Sequence, residues 1–170
     1  MQIFMVKKIL KRTFQILLLI FIIIQFIRPA KNKAEAISDN DISKIYPVPE
    51  NVHTILKTSC YDCHSNNTVY PWYASIQPVA WWLNDHIQEG KRELNFSEFA
   101  SYSIRRQYIK LEEVNKQVKE DEMPLEEYIW LHKTSKLNKE QKITLANWVI
   151  SIRDTIKANY PPDSLVRKKI

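Results

Sequence analysis

Apolar residues recur along this chain with the period of about 3.6 residues that is typical of amphipathic helices. The pattern predicts helices over residues 50–60, 78–90, 97–120 and 139–158. The positions expected to face a core are Val52, Ile55, Leu56, Val79, Leu83, Ala100, Ile104, Leu111, Val114, Val118, Leu145, Trp148, Val149 and Ile152. The chain has one glycine, Gly90, although a β-rich domain needs several for its turns. The pattern therefore predicts an all-α fold.

Polar and proline residues mark the expected helix ends. Asn95 and Asn138 each precede a predicted helix and, with an acidic or amide side chain three residues later, resemble capping pairs. Gly90 suits the left-handed position that follows the end of a helix. Two prolines end the last helix, and the segment 161–170 that begins with them is predicted to be a loose basic tail. The folded domain is expected over 47–160.

The first 28 residues combine a basic start with a nearly uninterrupted apolar run. Four basic side chains within Lys7–Arg12 come first, and the apolar run covers Phe14–Ile27. This is the order of a signal sequence, although the run is short for a membrane span of about 20 residues. We predict an uncleaved signal anchor, a transmembrane helix, over 1–28. A signal peptide cleaved near Ala34 is the alternative, and a polar linker is expected over 29–46.

The charge distribution follows from this anchor. The excess of basic residues ahead of the apolar run favours a cytoplasmic N-terminus, which places the C-terminal domain on the periplasmic side of a bacterial cytoplasmic (inner) membrane. Five of the 25 Lys and Arg residues lie within 1–30, where there is no acid, so the remainder has 20 basic and 19 acidic residues. The basic composition therefore gives no case for nucleic-acid binding.

Both cysteines of the chain lie in the sequence Cys60-Tyr61-Asp62-Cys63-His64, which has the C-x-x-C-H spacing of a c-type haem attachment site. Cysteines three positions apart can each form a thioether with a vinyl group on the same porphyrin edge. The histidine that follows Cys63 is then placed beneath the iron as the proximal ligand. The motif predicts one haem c, attached covalently through Cys60 and Cys63 and ligated by His64.

Other interpretations of these three side chains are open. A dithiol redox centre would need a thioredoxin-like βαβ surround, and the chain has no such pattern. A structural zinc site would need four ligands at recognisable spacing, and there is no second cysteine pair or closely spaced histidine pair. Two unreactive buried thiols would leave the adjacent histidine unexplained. Covalent haem accounts for all three.

A six-coordinate haem iron needs a second axial ligand, and the candidates are Met123, His86, His132 and His53. Met123 is the only methionine outside the N-terminal apolar segment, and its acidic neighbours argue against deep burial in a core. Its thioether is a soft, neutral ligand that raises the reduction potential, and we predict it as the sixth ligand. His86 shares a predicted helix face with Trp82, and we expect these two to contact the haem without ligating it.

The chain resembles the bacterial haem-binding domain family, membrane-anchored proteins of the c-type cytochrome kind, over about residues 45–155. The stretches that carry the resemblance are Cys60-Tyr61-Asp62-Cys63-His64-Ser65-Asn66, Tyr70-Pro71-Trp72-Tyr73, Pro78-Val79-Ala80-Trp81, Leu94-Asn95-Phe96-Ser97 and Glu122-Met123-Pro124-Leu125. The order of a helix, C-x-x-C-H, a later Met-Pro loop and a C-terminal helix is also similar to class I cytochrome c. The resemblance implies a small helical domain wrapped around one haem, with His64 and Met123 on opposite sides of the iron.

These residues favour electron transfer by a membrane-anchored mono-haem protein that exchanges electrons with a redox protein partner and is not an enzyme. With both axial positions filled, no substrate would bind the iron. The alternative is a haem peroxidase or a gas or redox sensor, which needs a displaceable sixth ligand and acid–base groups nearby. A third hypothesis is a non-catalytic haem-binding module in a membrane complex.

Overall fold

The architecture is helical throughout the described part of the chain. The structure is a computed structural model that describes residues 2–166, with side chains from Phe4 onwards. The α-helices are α1 (Gln2–Ile24), α2 (Glu50–Ser59), α3 (Tyr61–His64), α4 (Val79–Glu93), α5 (Ile104–Lys119), α6 (Glu126–Leu131), α7 (Lys139–Asn159) and α8 (Pro162–Leu165). Short 3₁₀ helices cover Ile42–Lys44, Trp72–Ser75, Phe96–Ser101 and Lys133–Ser135. The predicted all-α class is confirmed, since residues 2–166 contain an isolated bridge between Lys33 and Asn67 but no strand.

Two compact units make up the chain. The first contains α1 and the chain up to Lys31, together with Val69–His86; the second contains Asn32–Thr68 and the chain from Ile87 onwards. The sequence predicts instead a succession of anchor, linker and domain. The difference arises because the segment before α4 hydrogen-bonds to the segment that follows α1. These residues are 50 and 52 positions apart in the sequence, and a local sequence pattern cannot predict contacts at such a distance.

Helix α1 exposes apolar side chains all round its axis. From Phe4 to Ile23 its large apolar residues are between 44% and 81% exposed. No helix within residues 2–166 combines the length and the apolarity that crossing a membrane requires. The transmembrane helix predicted over 1–28 is therefore not borne out. A helix forms there, but it starts early enough to include the basic residues of Lys7–Arg12, which are predicted to precede the apolar run.

A reciprocal pair of glutamines joins the two chain segments of the first unit. The Gln77 backbone N–H donates to Oε1 of Gln25 (2.9 Å), and Gln25 Nε2 donates to the Gln77 carbonyl (3.3 Å). The Gln77 side chain and the indole N–H of Trp81 both donate to the carbonyl of Ile27, at 2.8 and 2.9 Å. Gln77 is 1% exposed. Because a buried amide is costly unless it is hydrogen-bonded, these four bonds fix the segments to each other.

The core of the second unit is built mainly from α2, α5 and α7. Helix α5 packs against α7, and α2 packs against α3 and α7. The predicted apolar stripes of these helices face inwards, and the buried positions include Val52, Ile55, Leu56, Leu111, Val118, Leu145, Trp148, Val149 and Ile152. Phe96 and Phe99, from the 3₁₀ helix before α5, join the same core.

The observed helix ends match the predicted ones where the capping residues lie next to the helix in the sequence. Helix α7 begins as predicted, because the Asn138 side chain accepts from the Gln141 N–H (2.8 Å) and the Gln141 side chain accepts from the Asn138 N–H (2.9 Å). This is a complete capping box. Helix α2, over Glu50–Ser59, also matches its predicted bounds.

The region before α5 differs from its prediction. The helix expected over 97–120 begins only at Ile104, because Asn95 caps a separate 3₁₀ helix and Ser103 caps α5. Each cap draws the chain out of the helical conformation, so one predicted helix becomes two elements. Helix α6 lies between predicted helices and is not expected from the periodicity.

Parts of the predicted linker and tail are built into the second unit. Ile42, in the expected linker 29–46, is fully buried in the core, and the Asp41 side chain caps its 3₁₀ turn. Leu165, in the expected tail 161–170, is 5% exposed and belongs to the same core. A lone apolar residue in a short polar segment has no periodicity that would predict its burial. The rest of that tail, 167–170, lies outside the described residues.

Candidate functional site

The C-x-x-C-H motif begins where α2 ends and is wound into the single turn of α3. The N–H of Cys60 donates to the Leu56 carbonyl (2.9 Å), which closes α2, and the N–H of His64 donates to the Cys60 carbonyl (2.9 Å). Beyond the turn, Thr68 Oγ1 donates to the carbonyl of Asp62 (2.6 Å). These bonds hold the motif in one defined conformation.

A backbone carbonyl orients the imidazole of His64. Its Nδ1 lies 2.9 Å from the carbonyl oxygen of Leu94. Because a carbonyl can only accept, Nδ1 carries the proton, and Nε2 of the neutral ring keeps its lone pair for a metal. Burial lowers the pKa of His64, and hydrogen bonds to the Leu94 and Gly90 carbonyls oppose this in part. The ring is therefore neutral at pH 7, the state in which histidine ligates metals.

A cavity of about 260 Å³ brings together three of the predicted site residues, Cys60, His64 and Met123. Its wall is mostly apolar and includes Leu94, Phe96, Val114, Val118, Pro124 and Leu137. Polar side chains that also line it are Ser59, Glu93, Lys110, Glu113 and Gln117. The cavity thus places an imidazole, a thioether and one motif thiol around a single space.

The other motif cysteine, Cys63, is covered by the backbone of α4. A Cβ added at Gly90 would lie 2.8 Å from the Cys63 carbonyl oxygen and 3.0 Å from the Cys63 Cβ. Glycine is required here because the helix and the motif approach too closely for a side chain. This corrects the predicted role of Gly90 as a left-handed C-cap, since α4 continues to Glu93 and Gly90 has no positive φ.

The loop that carries Met123 leaves α5 through a left-handed turn. Asp121 has a φ of +60°, a conformation that Asp adopts more readily than most residues, and its side chain pairs with Lys142. The N–H of Met123 donates to the Gln117 carbonyl (3.2 Å). The chain therefore folds back over the end of α5, which brings Met123 to the cavity. The Met123–Pro124 peptide bond is cis.

A largely buried lysine lies between two carboxylates in the cavity wall. Lys110 Nζ is 2.7 Å from Glu113 and 3.1 Å from Glu93, and the Lys110 side chain is 15% exposed. Burial lowers the pKa of Lys110, but hydrogen bonds to Glu113 and Glu93 outweigh it, so the net shift is upwards. The hydrogen bond from Lys110 also lowers the pKa of Glu93. Lys110 and Glu93 are therefore charged at neutral pH.

Both motif thiols are protonated at neutral pH. Burial, with a smaller effect of the neighbouring Cys63, raises the pKa of Cys60 to about 12, and burial with Asp62 raises that of Cys63 to about 11. A dithiol redox centre works through a thiol of lowered pKa, so these environments argue against that alternative. Among the described side chains, no three His, Cys, Asp or Glu residues are grouped so that they could hold a metal ion, and the zinc alternative gains no support.

The stretch Leu94–Ser97 supports the motif in ways that periodicity does not predict. Besides the Leu94 carbonyl on the motif histidine, Asn95 Nδ2 donates to Asn66 Oδ1 (2.8 Å). Ser97 Oγ accepts from the Asn66 N–H (3.1 Å). In the sequence, the family resemblance and the capping signal of Asn95 single out this stretch, but neither predicts its bonds to the motif.

A tyrosine ties α6 to the motif. Tyr128 donates its hydroxyl hydrogen to Asp62 Oδ2 (2.7 Å), and its ring stacks on His132 with 4.2 Å between centroids. Burial and the bond to Asp62 raise the pKa of Tyr128, so its hydroxyl stays protonated. Because α6 directly follows the Met123 loop, this bond connects the far end of that loop with a residue between the two cysteines. Tyr128 belongs to no sequence motif, so its contact with Asp62 is not predicted from the sequence.

The remaining predicted residues do not line the cavity. Trp82 and His86 belong to the first unit, where their ring centroids are 4.4 Å apart and His86 Nδ1 lies 2.9 Å from the Trp82 carbonyl oxygen. Their role as haem contacts stays a prediction. His53 is exposed on α2, and His132 lies against α6. Of the four candidate sixth ligands, Met123 is the one that lines the cavity.

The residues around the cavity fit a haem. The wall offers a thiol of the attachment motif, an imidazole nitrogen free of its proton, a thioether sulfur and a mostly apolar surface, which is the donor set of a His/Met-ligated c-type haem. A model of the haem-binding domain family matches residues 19–151 of the chain, a range that includes the motif and every residue of the cavity wall. No curated protein and no solved structure matches the chain.

Proposed function

Because this chain belongs to the haem-binding domain family, we propose that it is a mono-haem c-type cytochrome that carries electrons. Cys60 and Cys63 would attach the haem covalently, and His64 and Met123 would ligate its iron. The observation that carries the proposal is the single cavity lined by Cys60, His64 and Met123, with the Leu94 carbonyl holding the proton of His64 on Nδ1.

The arrangement of helices supports a class I cytochrome c-like domain. The helix that leads into the motif, α2, packs against the C-terminal helix α7. The Met-Pro loop lies between them in the sequence, in the order expected of that class. Cys60 of the motif and Met123 of the loop both pack against the core that these helices share, which supports this proposal.

The ligating and the apolar residues of the cavity wall have different parts in this function. When bound, a haem supplies one-electron chemistry at its iron. His64 offers a neutral nitrogen of fixed orientation, and Met123 offers a soft, neutral sulfur that favours the reduced state and raises the reduction potential. Apolar residues such as Phe96 and Val118 keep water away from the metal. With both iron ligands supplied by the protein, the chain would act as an electron carrier and not as an enzyme.

We also propose that α1 holds the protein at the outer surface of a bacterial cytoplasmic membrane, where a redox protein partner would exchange electrons with it. A helix that is apolar on all sides is typically buried in a protein core or in lipid. Helix α1 is apolar on all sides beyond its basic start, and its apolar side chains are exposed along its length. Attachment of haem c outside the cytoplasm requires the motif to lie on that side.

The decisive experiment is the absorption spectrum of the full chain, matured in an exporting bacterial host and purified in detergent. We expect haem that stays with the unfolded protein, and a ferric spectrum with a sulfur-to-iron charge-transfer band. Met123→Ala should lose that band and lower the reduction potential by about 0.1 V or more, within the ~0.8 V range that axial ligands control. Leu125→Ala, which changes a nearby residue outside the cavity wall, is the control.

Two results would contradict parts of this proposal. Haem that is extracted from the unfolded protein by acid and solvent would rule out covalent attachment. A Met123→Ala protein that keeps both the band and the potential would rule out Met123 as a ligand.

A haem enzyme or sensor is the second candidate, and one observation favours it. Glu113, Gln117 and Lys110 line the same cavity as Met123, so acid–base groups would be near the iron if the methionine left. Ferric protein that is high-spin, or that binds cyanide readily, would favour this candidate over the electron carrier.

A further inference from the structure

The first unit exposes a group of large aromatic and aliphatic side chains outside α1. Trp72 is 79% exposed, Trp82 43%, Ile76 37% and Trp81 36%. All four lie in the short segment Val69–His86. Single exposed apolar residues are ordinary, but a local group of them marks an interaction surface. Tryptophan in particular is enriched where an apolar phase meets water, because its ring is apolar and its N–H is polar.

This segment is fixed to the end of α1 by the four hydrogen bonds of Gln25, Gln77 and Trp81. The segment therefore lies beside the C-terminal end of the apolar helix, and Arg28 and Lys31 follow that same end in the sequence. Where an apolar helix leaves the hydrocarbon of a bilayer, tryptophan and basic side chains are likewise enriched at the interface. Both basic residues are exposed, and they line a small recess of about 50 Å³ together with Ser75 and Asn84.

Charge is concentrated in this unit. Residues 2–31 and 69–86 contain six basic residues and one acid, Asp85, a net charge of +5 out of the +6 of the whole chain. Four of these basic residues lie at the start of α1, and Arg28 and Lys31 lie at its other end, beside the tryptophan segment. Anionic lipids attract each basic residue near the headgroups by about 1 kcal/mol. Two copies of this basic unit would repel each other, so a second copy of this chain is a poor occupant.

We propose that the segment 69–86 docks on an anionic phospholipid bilayer, with Trp72 and Trp82 at the headgroup boundary and Arg28 and Lys31 against the lipid phosphates. The inference rests on the membrane attachment proposed for α1 and adds a second contact to it.

X-ray hydroxyl-radical footprinting of the haem-loaded full chain tests this in nanodiscs of phosphatidylcholine and phosphatidylglycerol, with one chain per disc. The ratio of the oxidation rates of Trp72 and Trp130 is the readout, because Trp130 is 69% exposed in the second unit and serves as the internal control. We expect the ratio to fall several-fold below the value near one that their exposures imply. Trp82 should be protected in the same way.

Charge variants test the phosphate contact. Arg28→Gln with Lys31→Gln should restore much of the Trp72 oxidation, whereas Lys133→Gln with Lys136→Gln, two exposed lysines of the second unit, should not. A Trp72/Trp130 ratio near one in discs that do hold the protein overturns the docking surface and leaves the attachment by α1 intact. Protein that fails to enter the discs overturns both. Protection of Trp72 that needs two chains per disc makes a second copy the occupant and overturns the proposal.

Discussion

At the scale of single residues, one hydrogen bond decides which nitrogen of His64 can bind iron. The Leu94 carbonyl is 2.9 Å from Nδ1, so the proton of the neutral ring lies there. Rotating the ring would break that bond, and protonating the ring would remove the lone pair of Nε2. The carbonyl therefore selects the tautomer in which Nε2 could bind a metal, and it would make that nitrogen more basic.

Whether replacing Gly90 by alanine stabilises or destabilises the protein depends on how Gly90 is packed. In an ordinary helix, Gly→Ala stabilises by up to about 1 kcal/mol. Here the new Cβ would lie 2.8 Å from a backbone oxygen of Cys63. We expect Gly90→Ala to destabilise the protein by about 1–3 kcal/mol in urea unfolding, because helix and motif must separate. Glu89→Ala, at an exposed neighbouring position, should be close to neutral, and an equally stable Gly90→Ala protein would refute the close approach.

The ion pairs of Lys110 should make stability depend on pH. The pKa of Glu93 is lowered by Lys110, so the stabilisation is present above the ordinary pKa of a glutamate and is lost as the pH falls through the lowered value. We expect Lys110→Gln to lower the free energy of unfolding at pH 7, and the loss to shrink at about pH 3. Lys116→Gln removes an exposed ion pair with Glu120 and should change little. An equal loss at both pH values would contradict this account.

At the scale of elements, the contact between α6 and α3 links the two segments that would ligate the iron. The Tyr128 hydroxyl holds Asp62 of the motif, and α6 begins three residues after Met123. A loop tied at both ends has fewer conformations in which its methionine can leave the cavity. This element contact thus bears on ligand exchange as well as on stability.

We expect Tyr128→Phe to cost about 1–2 kcal/mol of stability and to increase the rate at which added imidazole displaces Met123. The ring and its stacking on His132 are kept, so only the hydroxyl is tested. Asp62→Asn keeps an acceptor oxygen and should have a smaller effect. Unchanged imidazole kinetics in Tyr128→Phe would mean that the bond does not restrain the loop.

Sequence alone predicted the elements whose signals are local. Helix α7 has its capping pair and its apolar stripe within its own residues, and α2 likewise has its stripe within ten residues. Helix α6 spans only Glu126–Leu131, too short for a periodic pattern, and it is held by a contact with a residue 66 positions away. Gly90 was misjudged for a similar reason, because the clash that requires glycine lies in another segment.

The residues of the candidate site also fall into two groups, those with a signal in the sequence and those without one. Cys60, Cys63 and His64 form a contiguous motif, and Met123 was found because it is the only methionine outside the N-terminal segment. The Leu94 carbonyl and Lys110 could not be found, since a backbone oxygen has no residue type and a lysine in a charged helix resembles any solvated one. Such partners are determined by tertiary packing alone.

At the scale of the whole molecule, the cavity joins most of the second unit. Its wall comes from α2, α3, α4, α5 and the chain on both sides of α6. A ligand that touches all of these contributes to the stability of the unit as a whole. We expect the chain made without haem to unfold at a clearly lower temperature than the haem-loaded chain, by about 3 °C for each kcal/mol lost.

Circular dichroism during heating measures that difference. A Cys60→Ser, Cys63→Ser protein, which cannot attach haem covalently, should unfold at the temperature of the haem-free chain. If the haem-free and haem-loaded proteins unfold at the same temperature, the cavity is not where the haem binds.

The close approach of Gly90 to Cys63 also bears on the order of events during biogenesis. With this turn of α4 in place, the backbone of Gly90 packs against one side of Cys63. Gly90 has no side chain whose movement could open this contact. An enzyme that joins a vinyl group to this sulfur would work best on a nascent chain in which the turn is still open. Closure of α4 would then be the step that follows attachment, packing helix backbone against the cysteine that carries the thioether.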